Sequence, residues 1–395
     1  MGRSVLVAGV GMVPFGKPGK SDDYVTMGSA ALRSALRDAG VTIETIDQTF
    51  AGYVYGDSTA GQRVVYEVGM TGGPLLNVNN NCASGSSALY LARQAVESGA
   101  AECAVAVGFE QMMPGALTEQ WTDRPNPLQK FVARLDDEFA TDPAAPLVGR
   151  FFGAAGVEYQ DRYGMKPETF ARIAVKSRRH AANNPYAVFT EPVTVERVLA
   201  SPRLVGPLTR LQACPPTCGA AAAVLVSEDC ARRLGLRTDV EILAQAMATD
   251  TPETFESGEA ADLVGRGITR RAAASVYETA GVDPWDIPVV ELHDCFTVNE
   301  VLSYEALGLC GEGGSEAFIE AGDNTYGGRV VVNPSGGLLS KGHPLGATGL
   351  AQCAELVWQL RGQAGARQVE SCKLALQHNV GLGGAGVVTI FGRRT

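Results

Sequence analysis

Apolar runs along the chain alternate with segments whose hydrophobic residues recur at helical spacing. The first run, "SVLVAGVGMVPFG", is short and interrupted by glycines and Pro14, which predicts a core strand rather than a signal peptide. "AALRSALRDAGVTIETID" and "RAAASVYETAGVDPWDIP" each predict a helix, a polar turn and an apolar segment, in that order. This alternation of strands and helices favours an α/β layer structure.

The pattern occurs twice along the chain. The Ala-Gly-Val that ends the first of these helices recurs at 280–282, and "CASGSSAL" from Cys82 matches "HPLGATGL" from His343. We therefore predict two copies of one unit, with the first half spanning 1–230 and the second half 231–395.

One segment, at about 111–213, has no counterpart in the second half. It is richer in proline, aspartate and aromatic residues, and its clearest helix, "KPETFARIAVKSRRHAANNP", is predicted to start near Pro167. We interpret this segment as an inserted loop domain that covers a ligand site.

Composition narrows the class of protein. The chain has 395 residues, 45% of them hydrophobic, which is enough to bury a large core. Its 33 basic and 43 acidic residues give a net charge of −10, which disfavours a nucleic-acid partner. No run is long and apolar enough to predict a membrane span. Nine cysteines in mostly apolar segments favour a reducing compartment, so we expect a cytoplasmic protein.

The two equivalent turns carry the candidate chemistry. If the copies are related by an approximate twofold axis, Cys82 and His343 face each other across it. A helix N-terminus and a nearby imidazole both favour a thiolate, so Cys82 is predicted to be an activated nucleophile. The alternative is a small buried cysteine with no role in catalysis.

Two further histidines lie close to predicted strand ends. "VVELHDCFTVNE" places His293 and Cys295 directly after an apolar run, with Asp294 between them as a helix N-cap. "LALQHNVGLGG" places His378 ahead of a glycine run whose amides could bind an oxyanion. His378 is either a substrate-binding residue or a structural histidine.

Other polar groups are weaker candidates. Cys214 and Cys218 have no second pair at zinc-ligand spacing, so we predict no metal site. The basic residues of the insertion helix either form a solvated face or bind substrate phosphates; they are Lys176, Arg178, Arg179 and His180.

Several long motifs resemble those of the thiolase superfamily, and within it the sterol carrier protein X type of acetyl-CoA C-acyltransferase. They include "NNNCASGSSAL", "HDCF", "NPSGGLLSKGHPLGATGLAQCAELVWQLRG" and "QHNVGLGGAGVVTIF", and the resemblance covers essentially the whole chain. It implies a five-layered αβαβα fold of two similar halves with an inserted loop domain. It also implies a homodimer or homotetramer.

The resemblance assigns roles to individual residues. Cys82 would take the acyl group, while His343 would activate it and help to bind an enolate oxygen together with His293. Asn379-Val380-Gly381 stands where the family has a C-x-G motif, so Cys295 would replace its acid/base cysteine. The backbone amides of Gly381 and Cys82 would hold the oxyanion of the tetrahedral intermediate.

The implied reaction is cleavage of a 3-oxoacyl-CoA by CoA, the co-substrate, in fatty acid or sterol side-chain degradation. No other cofactor is implied. Three alternatives remain. One is a decarboxylating ketoacyl synthase, and another is a retro-aldolase working with a small acyl-CoA-binding partner. The third is a non-catalytic protein that binds acyl-CoA or lipid.

Overall fold

The computed structural model describes residues 2–115 and 121–394; positions 116–120 of the expected insertion lie outside the described residues. The strands are β1 (Val5–Met12), β2 (Gln48–Gly52), β3 (Leu75–Val78), β4 (Cys103–Glu110), β5 (Arg203–Val205), β6 (Leu208–Thr209), β7 (Gly219–Ser227), β8 (Val240–Ala248), β9 (Val289–Glu291), β10 (Val331–Val332), β11 (Leu374–Gly381) and β12 (Ala385–Arg393).

The α-helices are α1 (Tyr24–Ala39), α2 (Ala60–Tyr66), α3 (Ser84–Glu97), α4 (Gln129–Glu138), α5 (Leu147–Tyr163), α6 (Pro167–Ala181), α7 (Val195–Leu199), α8 (Glu228–Leu234), α9 (Glu253–Glu256), α10 (Ala260–Leu263), α11 (Arg266–Ala280), α12 (Thr297–Ala306), α13 (Ser315–Glu320), α14 (Gly337–Ser340) and α15 (Leu345–Arg361). Within the described ranges, none of them combines the length and the hydropathy needed to cross a bilayer.

The main sheet has the same strand order in each half. In the described structure it runs β10-β9-β11-β12-β8-β1-β7-β4-β2-β3. Strands β3, β2 and β4 are parallel, and β7 and β1 follow antiparallel. Strands β10, β9, β11, β12 and β8 repeat that arrangement. A single residue pair, Leu6 with Glu241, joins the two five-stranded units.

Helices and strands are stacked in five layers. Helices α3 and α15 share one hydrophobic cluster with residues from strands of both halves, so they form the central layer. Helices α1 and α2 pack on the outer side of the first unit, and α11 and α12 pack on the outer side of the second. The fold class predicted from the sequence is confirmed.

The repeated Ala-Gly-Val has a local physical cause. Helix α1 ends at Gly40 with φ 74°, and α11 ends at Gly281 with φ 62°. Glycine accepts this left-handed conformation without the steric cost that a Cβ brings, so it ends both helices in the same way.

The insertion between β4 and β7 contains helices α4 to α7 and the β5–β6 hairpin. Helix α6 begins at Pro167, where the sequence predicts it. Helix α5 packs on α12, and the rings of Phe152 and Phe296 stack with centroids 4.8 Å apart. Phe296 follows Cys295 directly, so the insertion packs beside the candidate site.

The central helices touch through glycine. A Cβ at Gly85 would lie 2.5 Å from the Gly346 carbonyl oxygen, and one at Gly349 would lie 2.1 Å from Ser86 Oγ. Real Cβ atoms do not approach other atoms so closely, so these glycines allow backbone contact between α3 and α15. The contact sets the distance between the turns that precede the two helices.

Candidate active site

Cys82 lies in a tight turn between β3 and α3. The preceding Asn81 has φ 51°, a left-handed conformation that asparagine tolerates better than most residues. The amide of Ala83 donates to the Asn80 carbonyl at 3.0 Å, and the amide of Ser84 donates to the Asn81 carbonyl at 3.0 Å. The nucleophile candidate is therefore held on a defined backbone just before the helix.

His343 lies in the equivalent turn before α15. Its Nδ1 is 2.7 Å from Thr348 Oγ1, and the Thr348 hydroxyl donates to the Pro344 carbonyl at 2.9 Å. A hydroxyl has one hydrogen, so Thr348 accepts from the His343 Nδ1–H. The lone pair is then on His343 Nε2, which is buried and has no hydrogen-bond partner in the described structure.

Glu110 ties the two turns together at the end of β4. Its carboxylate accepts from the amide of Tyr55 at 2.8 Å in the first half and from the amide of Gly346 at 3.0 Å in α15. Burial raises the pKa of Glu110 to about 7, although the backbone hydrogen bonds to its carboxylate act to lower it. The carboxylate crosslinks the halves next to His343.

His293 and Cys295 lie between β9 and α12, and both are buried. Asp294 between them accepts from the amides of Leu338 at 2.7 Å and Leu339 at 3.4 Å. The predicted role of Asp294 as the N-cap of the following helix is wrong, because the N-cap of α12 is Phe296 and the Asp294 carboxylate accepts from amides of α14 instead. This contact anchors the loop that carries both side chains.

The three loops bring Cys82, His293 and His343 together. The sulfur of Cys82 and one ring nitrogen of each histidine all lie within 4.8 Å of one another. Nucleophilic catalysis needs a base this close to the attacking atom. Thiol and imidazole are also ligands for Zn²⁺, and this group has the spacing to hold such an ion.

The environment of the sulfur changes one expectation. Desolvation raises the pKa of Cys82 to about 12, although the backbone amides of Leu382 and Cys82 itself lower it. Burial, together with the charge of Lys341, lowers the pKa of His343 to about 3. Both shifts run against the predicted resting thiolate, because a raised thiol pKa and a lowered imidazole pKa favour the neutral forms of both groups at pH 7.

Cys295 has a second thiol beside it. The amide of Cys214 donates to the Cys295 carbonyl at 2.8 Å. Burial and the neighbouring thiols Cys214 and Cys82 raise the pKa of Cys295 well above that of a free cysteine. Cys218 points elsewhere, with its Sγ 3.4 Å from the Met112 carbonyl oxygen. Cys214 and Cys218 therefore do not face each other, and of the two only Cys214 lies at the site.

The basic residues of α6 are not in this cluster. The ammonium of Lys176 is buried and forms an ion pair with Glu300, so its predicted role in phosphate binding is wrong. His180 is buried as well and contacts the Asn333 carbonyl. Arg178 lies 4.1 Å from the Phe189 ring centroid, and the exposed Arg179 donates to Thr325. Phosphate binding by these two arginines stays a prediction.

His378 lies inside β11 and not at its end. Its Nε2 is 2.9 Å from Thr269 Oγ1 on the outer helix α11. Burial lowers the pKa of His378 to about 3. Side chains alternate across a strand, so the next residue, Asn379, faces the central layer. The structural interpretation of His378 fits this placement.

Asn379 is a site residue that the sequence patterns did not single out. Its Nδ2 is 2.8 Å from His293 Nδ1. Two residues further on, a Cβ at Gly381 would lie 2.1 Å from the Asn80 carbonyl oxygen, so this strand end touches the Cys82 turn. The signal for Asn379 was its position in the place of the family's second cysteine.

The fold and the site define a thiolase-type acyltransferase. The N-terminal domain model of thiolase matches residues 5–229, and the thiolase C-terminal domain-like model matches residues 250–393. The chain belongs to the thiolase family.

Curated relatives include two proteins named "Sterol carrier protein 2". The one from Gallus gallus is 52% identical over 394 residues, which cover 99% of this chain and 72% of that protein. The one from Homo sapiens is 52% identical over 393 residues, which cover 98% and 72%.

Solved structures show the same fold. The "Ltp2-ChsH2(DUF35) aldolase" matches with a TM-score of 0.83 and 25% identity, over 99% of this chain and 98% of that one. Human mitochondrial 3-ketoacyl-CoA thiolase matches with a TM-score of 0.75 and 20% identity, over 99% of each chain.

Proposed function

We propose that the protein is a 3-oxoacyl-CoA thiolase that uses CoA to release acetyl- or propionyl-CoA and a shortened acyl-CoA. One observation carries the proposal: the Cys82 thiol and two imidazoles lie within 4.8 Å of one another. His343 adds a buried ring nitrogen with a free lone pair. A thiol beside an unused base is the arrangement that an acyl-cysteine intermediate requires.

The first half-reaction transfers the acyl group to the enzyme. Cys82 Sγ attacks the 3-keto carbon while His343 Nε2 takes the thiol proton. The C2–C3 bond then breaks, and the electron pair moves into an enolate of the departing CoA ester. His293 and the protonated His343 donate to the enolate oxygen, and Cys295 gives its proton to C2.

The second half-reaction restores the free enzyme. The Cys295 thiolate takes the proton of the CoA thiol, and the CoA sulfur attacks the acyl-Cys82 thioester. The backbone amides of Cys82 and Gly381 stabilise the oxyanion, and the sulfur of Cys82 leaves and regains its proton from His343. Cys295 thus acts first as an acid and then as a base.

The acyl group is inferred from the relatives. Their sterol carrier protein names support branched or sterol side-chain 3-oxoacyl groups, and hence a place in lipid degradation. The free state of all nine cysteines is compatible with the predicted cytoplasmic location.

A homodimer or homotetramer is part of the proposal. Strand β3 is an edge strand in the described sheet, and its Leu76 is 43% exposed. Nearby Met70 is 75% exposed. A free strand edge with exposed apolar side chains favours pairing with a second chain.

A retro-aldolase is the second candidate, because the aldolase complex gives a high structural similarity and its name includes a DUF35 partner. A retro-aldol cleavage turns over without CoA, whereas the proposed thiolase stops after one acyl transfer. The presence of Cys82 and Cys295 favours the thiolase.

The test uses a panel of straight, 2-methyl-branched and sterol side-chain 3-oxoacyl-CoA esters, with and without CoA. We expect CoA-dependent release of acetyl- or propionyl-CoA and, without CoA, a stable acyl adduct on the Cys82 peptide by mass spectrometry. The variant Cys82→Ala should lose both, whereas Cys310→Ala, which changes a partly exposed thiol outside the site, should keep both. A 3-hydroxyacyl-CoA ester is assayed beside the panel, because retro-aldol cleavage needs a 3-hydroxyl group, and its cleavage without CoA would favour the aldolase. No adduct and no cleavage with any ester would favour a binding protein.

A further inference from the structure

We propose that Gln377, Ser86 and Asn379 are positioning residues that fix His293 in the tautomer with its proton on Nε2. The three side chains form one hydrogen-bonded chain that ends on His293 Nδ1. The catalytic part of this inference rests on the proposed function, because it assigns His293 as a donor to the enolate oxygen. The tautomer itself can be measured without any substrate.

The chain begins at a group with only one possible role. The backbone carbonyl of Gly349 can only accept, and Gln377 lies 2.7 Å from it. The Gln377 atom that faces the carbonyl must therefore be Nε2, which fixes the orientation of this amide. The same Nε2 lies 2.9 Å from Ser86 Oγ, so its second hydrogen is donated to the serine.

Each later group then has its role set by the one before it. Ser86 accepts from Gln377, so its single hydrogen is free for Asn379 Oδ1, 2.9 Å away. The other end of the Asn379 amide is then Nδ2, which lies 2.8 Å from His293 Nδ1. An NH₂ group donates, so His293 Nδ1 must hold the lone pair. A neutral imidazole with Nδ1 unprotonated carries its hydrogen on Nε2.

All members of the hydrogen-bonded chain are buried, so reversing a donor and an acceptor role is costly. Gln377, Ser86, Asn379 and His293 are each at most 2% exposed. Reversing the Gln377 amide would place its oxygen against the Gly349 carbonyl oxygen. Reversing the Asn379 amide would take away Oδ1, the acceptor for the Ser86 hydroxyl hydrogen. Such a mismatch leaves a buried polar group unpaired, which is strongly unfavourable.

The result is two imidazoles with opposite roles around one sulfur. His343 presents a lone pair on Nε2 because Thr348 holds its Nδ1–H. His293 presents an N–H on Nε2 because Asn379 occupies its Nδ1. The base and the neutral donor are thus set before substrate arrives. In the other tautomer, His293 would direct a lone pair at the enolate oxygen and repel it.

The hydrogen-bonded chain also connects the two halves of the protein. Ser86 belongs to α3 of the first half, whereas Gln377 and Asn379 belong to β11 of the second. The Gly349 contact that brings the helices together also supplies the carbonyl at the start of the chain. The packing of the two halves therefore determines which ring nitrogen of His293 carries the hydrogen.

The test measures the tautomer by NMR in protein labelled with ¹⁵N in the imidazole rings. The protein has four histidines, so few NMR signals need to be assigned. A His293→Gln variant identifies the signal of His293. We expect the wild-type ring to be neutral at pH 7 with its hydrogen on Nε2. Asn379→Leu removes both amide ends at similar volume, and Ser86→Ala frees the Asn379 amide to rotate. Both variants should give His293 a mixture of tautomers.

Activity is measured on the same samples. Both variants should lower kcat roughly 10- to 100-fold with little change in KM, as expected when a group that orients a catalytic side chain is lost. Ser177→Ala is the matched control, since Ser177 is an equally buried serine in α6 and its hydroxyl has no hydrogen-bond partner in the described structure.

Two results would overturn the proposal. One is a wild-type His293 with its hydrogen on Nδ1. The other is a loss of kcat in Asn379→Leu while the tautomer stays unchanged, which would leave only a structural role. If no ester in the panel turns over, the proposed function fails, and the tautomer signal still decides this inference by itself.

Discussion

The imidazole rings of His293 and His343 meet edge to face, with centroids 5.0 Å apart and an angle of 86° between their planes. Burial and the nearby His343 both lower the pKa of His293. A proton on one ring therefore disfavours a proton on the other. In the proposed mechanism, His293 therefore stays neutral when His343 takes the thiol proton, and it remains able to donate.

The pKa of Cys82 leads to a prediction about pH. Desolvation raises this pKa to about 12, and a thiol whose pKa is raised stays protonated to a higher pH. Thiolate is the reactive form, so iodoacetamide should alkylate Cys82 slowly at neutral pH. The rate should rise about tenfold per unit from about pH 6 to about pH 10, without the plateau near pH 9 that an ordinary thiol shows.

The rate is measured by the mass of the Cys82 peptide, with glutathione in the same buffers as the reference thiol. A plateau for Cys82 at or below that of glutathione would show that the sulfur is ionised at rest.

Removing Cys295 should separate the two half-reactions. The variant Cys295→Ala keeps the attacking thiol and the His343 base and loses the acid that protonates C2, so formation of the acyl adduct on Cys82 should be retained better than turnover. Turnover should fall roughly 100-fold or more, because no group activates CoA. Adduct formation is followed by peptide mass and turnover by release of the shortened acyl-CoA.

The companion variant His343→Ala should damage adduct formation and turnover alike. Equal loss of both steps in Cys295→Ala would contradict the acid/base role of Cys295.

The contact between the central helices predicts an effect on stability. In Gly349→Ala the new Cβ would lie 2.1 Å from Ser86 Oγ and 2.4 Å from Ser86 N. The helices must move apart, which should lower the free energy of unfolding by about 1–3 kcal/mol. The turns that carry Cys82 and His343 move with them, so kcat should fall as well. Urea unfolding and steady-state kinetics measure the two effects.

Gly149→Ala in α5 is the matched control. Its Cβ would have its nearest neighbour, Val205 Cγ2, at 3.4 Å, an ordinary contact. The free energy of unfolding should change by no more than about 1 kcal/mol. Similar losses in both variants would mean that the helix contact has no special role.

The exposed edge of β3 predicts the assembly state. Leu76→Lys places a charge on the edge strand and should convert the oligomer into a monomer, as measured by light scattering after size-exclusion chromatography. Leu234→Lys changes a leucine of similar exposure, 45%, in α8 and should leave the assembly unchanged. A wild-type protein that is already monomeric would contradict the proposed dimer.

Local signals in the sequence predicted much of the fold. Glycine ends α1 and α11 in the same left-handed conformation, and the turns before α3 and α15 share a pattern of small residues. Such signals depend on neighbouring residues along the chain, so a repeat reveals them. Helix α5 escaped prediction, since its three interior glycines weaken the helical pattern and its contacts with Val205 and Pro207 compensate.

The errors at the site come from burial that the sequence does not display. Lys176 belongs to a basic run, but Lys176 and His180 are four residues apart and share the buried side of α6. The sequence pattern favours an ionised Cys82, yet desolvation raises the pKa of this thiol more than the backbone amides of Leu382 and Cys82 lower it. Asn379 follows two other polar residues of β11, Gln377 and His378, so only its position in the motif distinguished it.

The correspondence between the turns of Cys82 and His343 bears on how such a site could arise. A protein with two identical halves would present either two thiols or two imidazoles across the axis, and neither pair contains both a nucleophile and a base. The pairing of a thiol with an imidazole at these turns therefore depends on the difference between the halves, and neither half could replace the other in the proposed reaction.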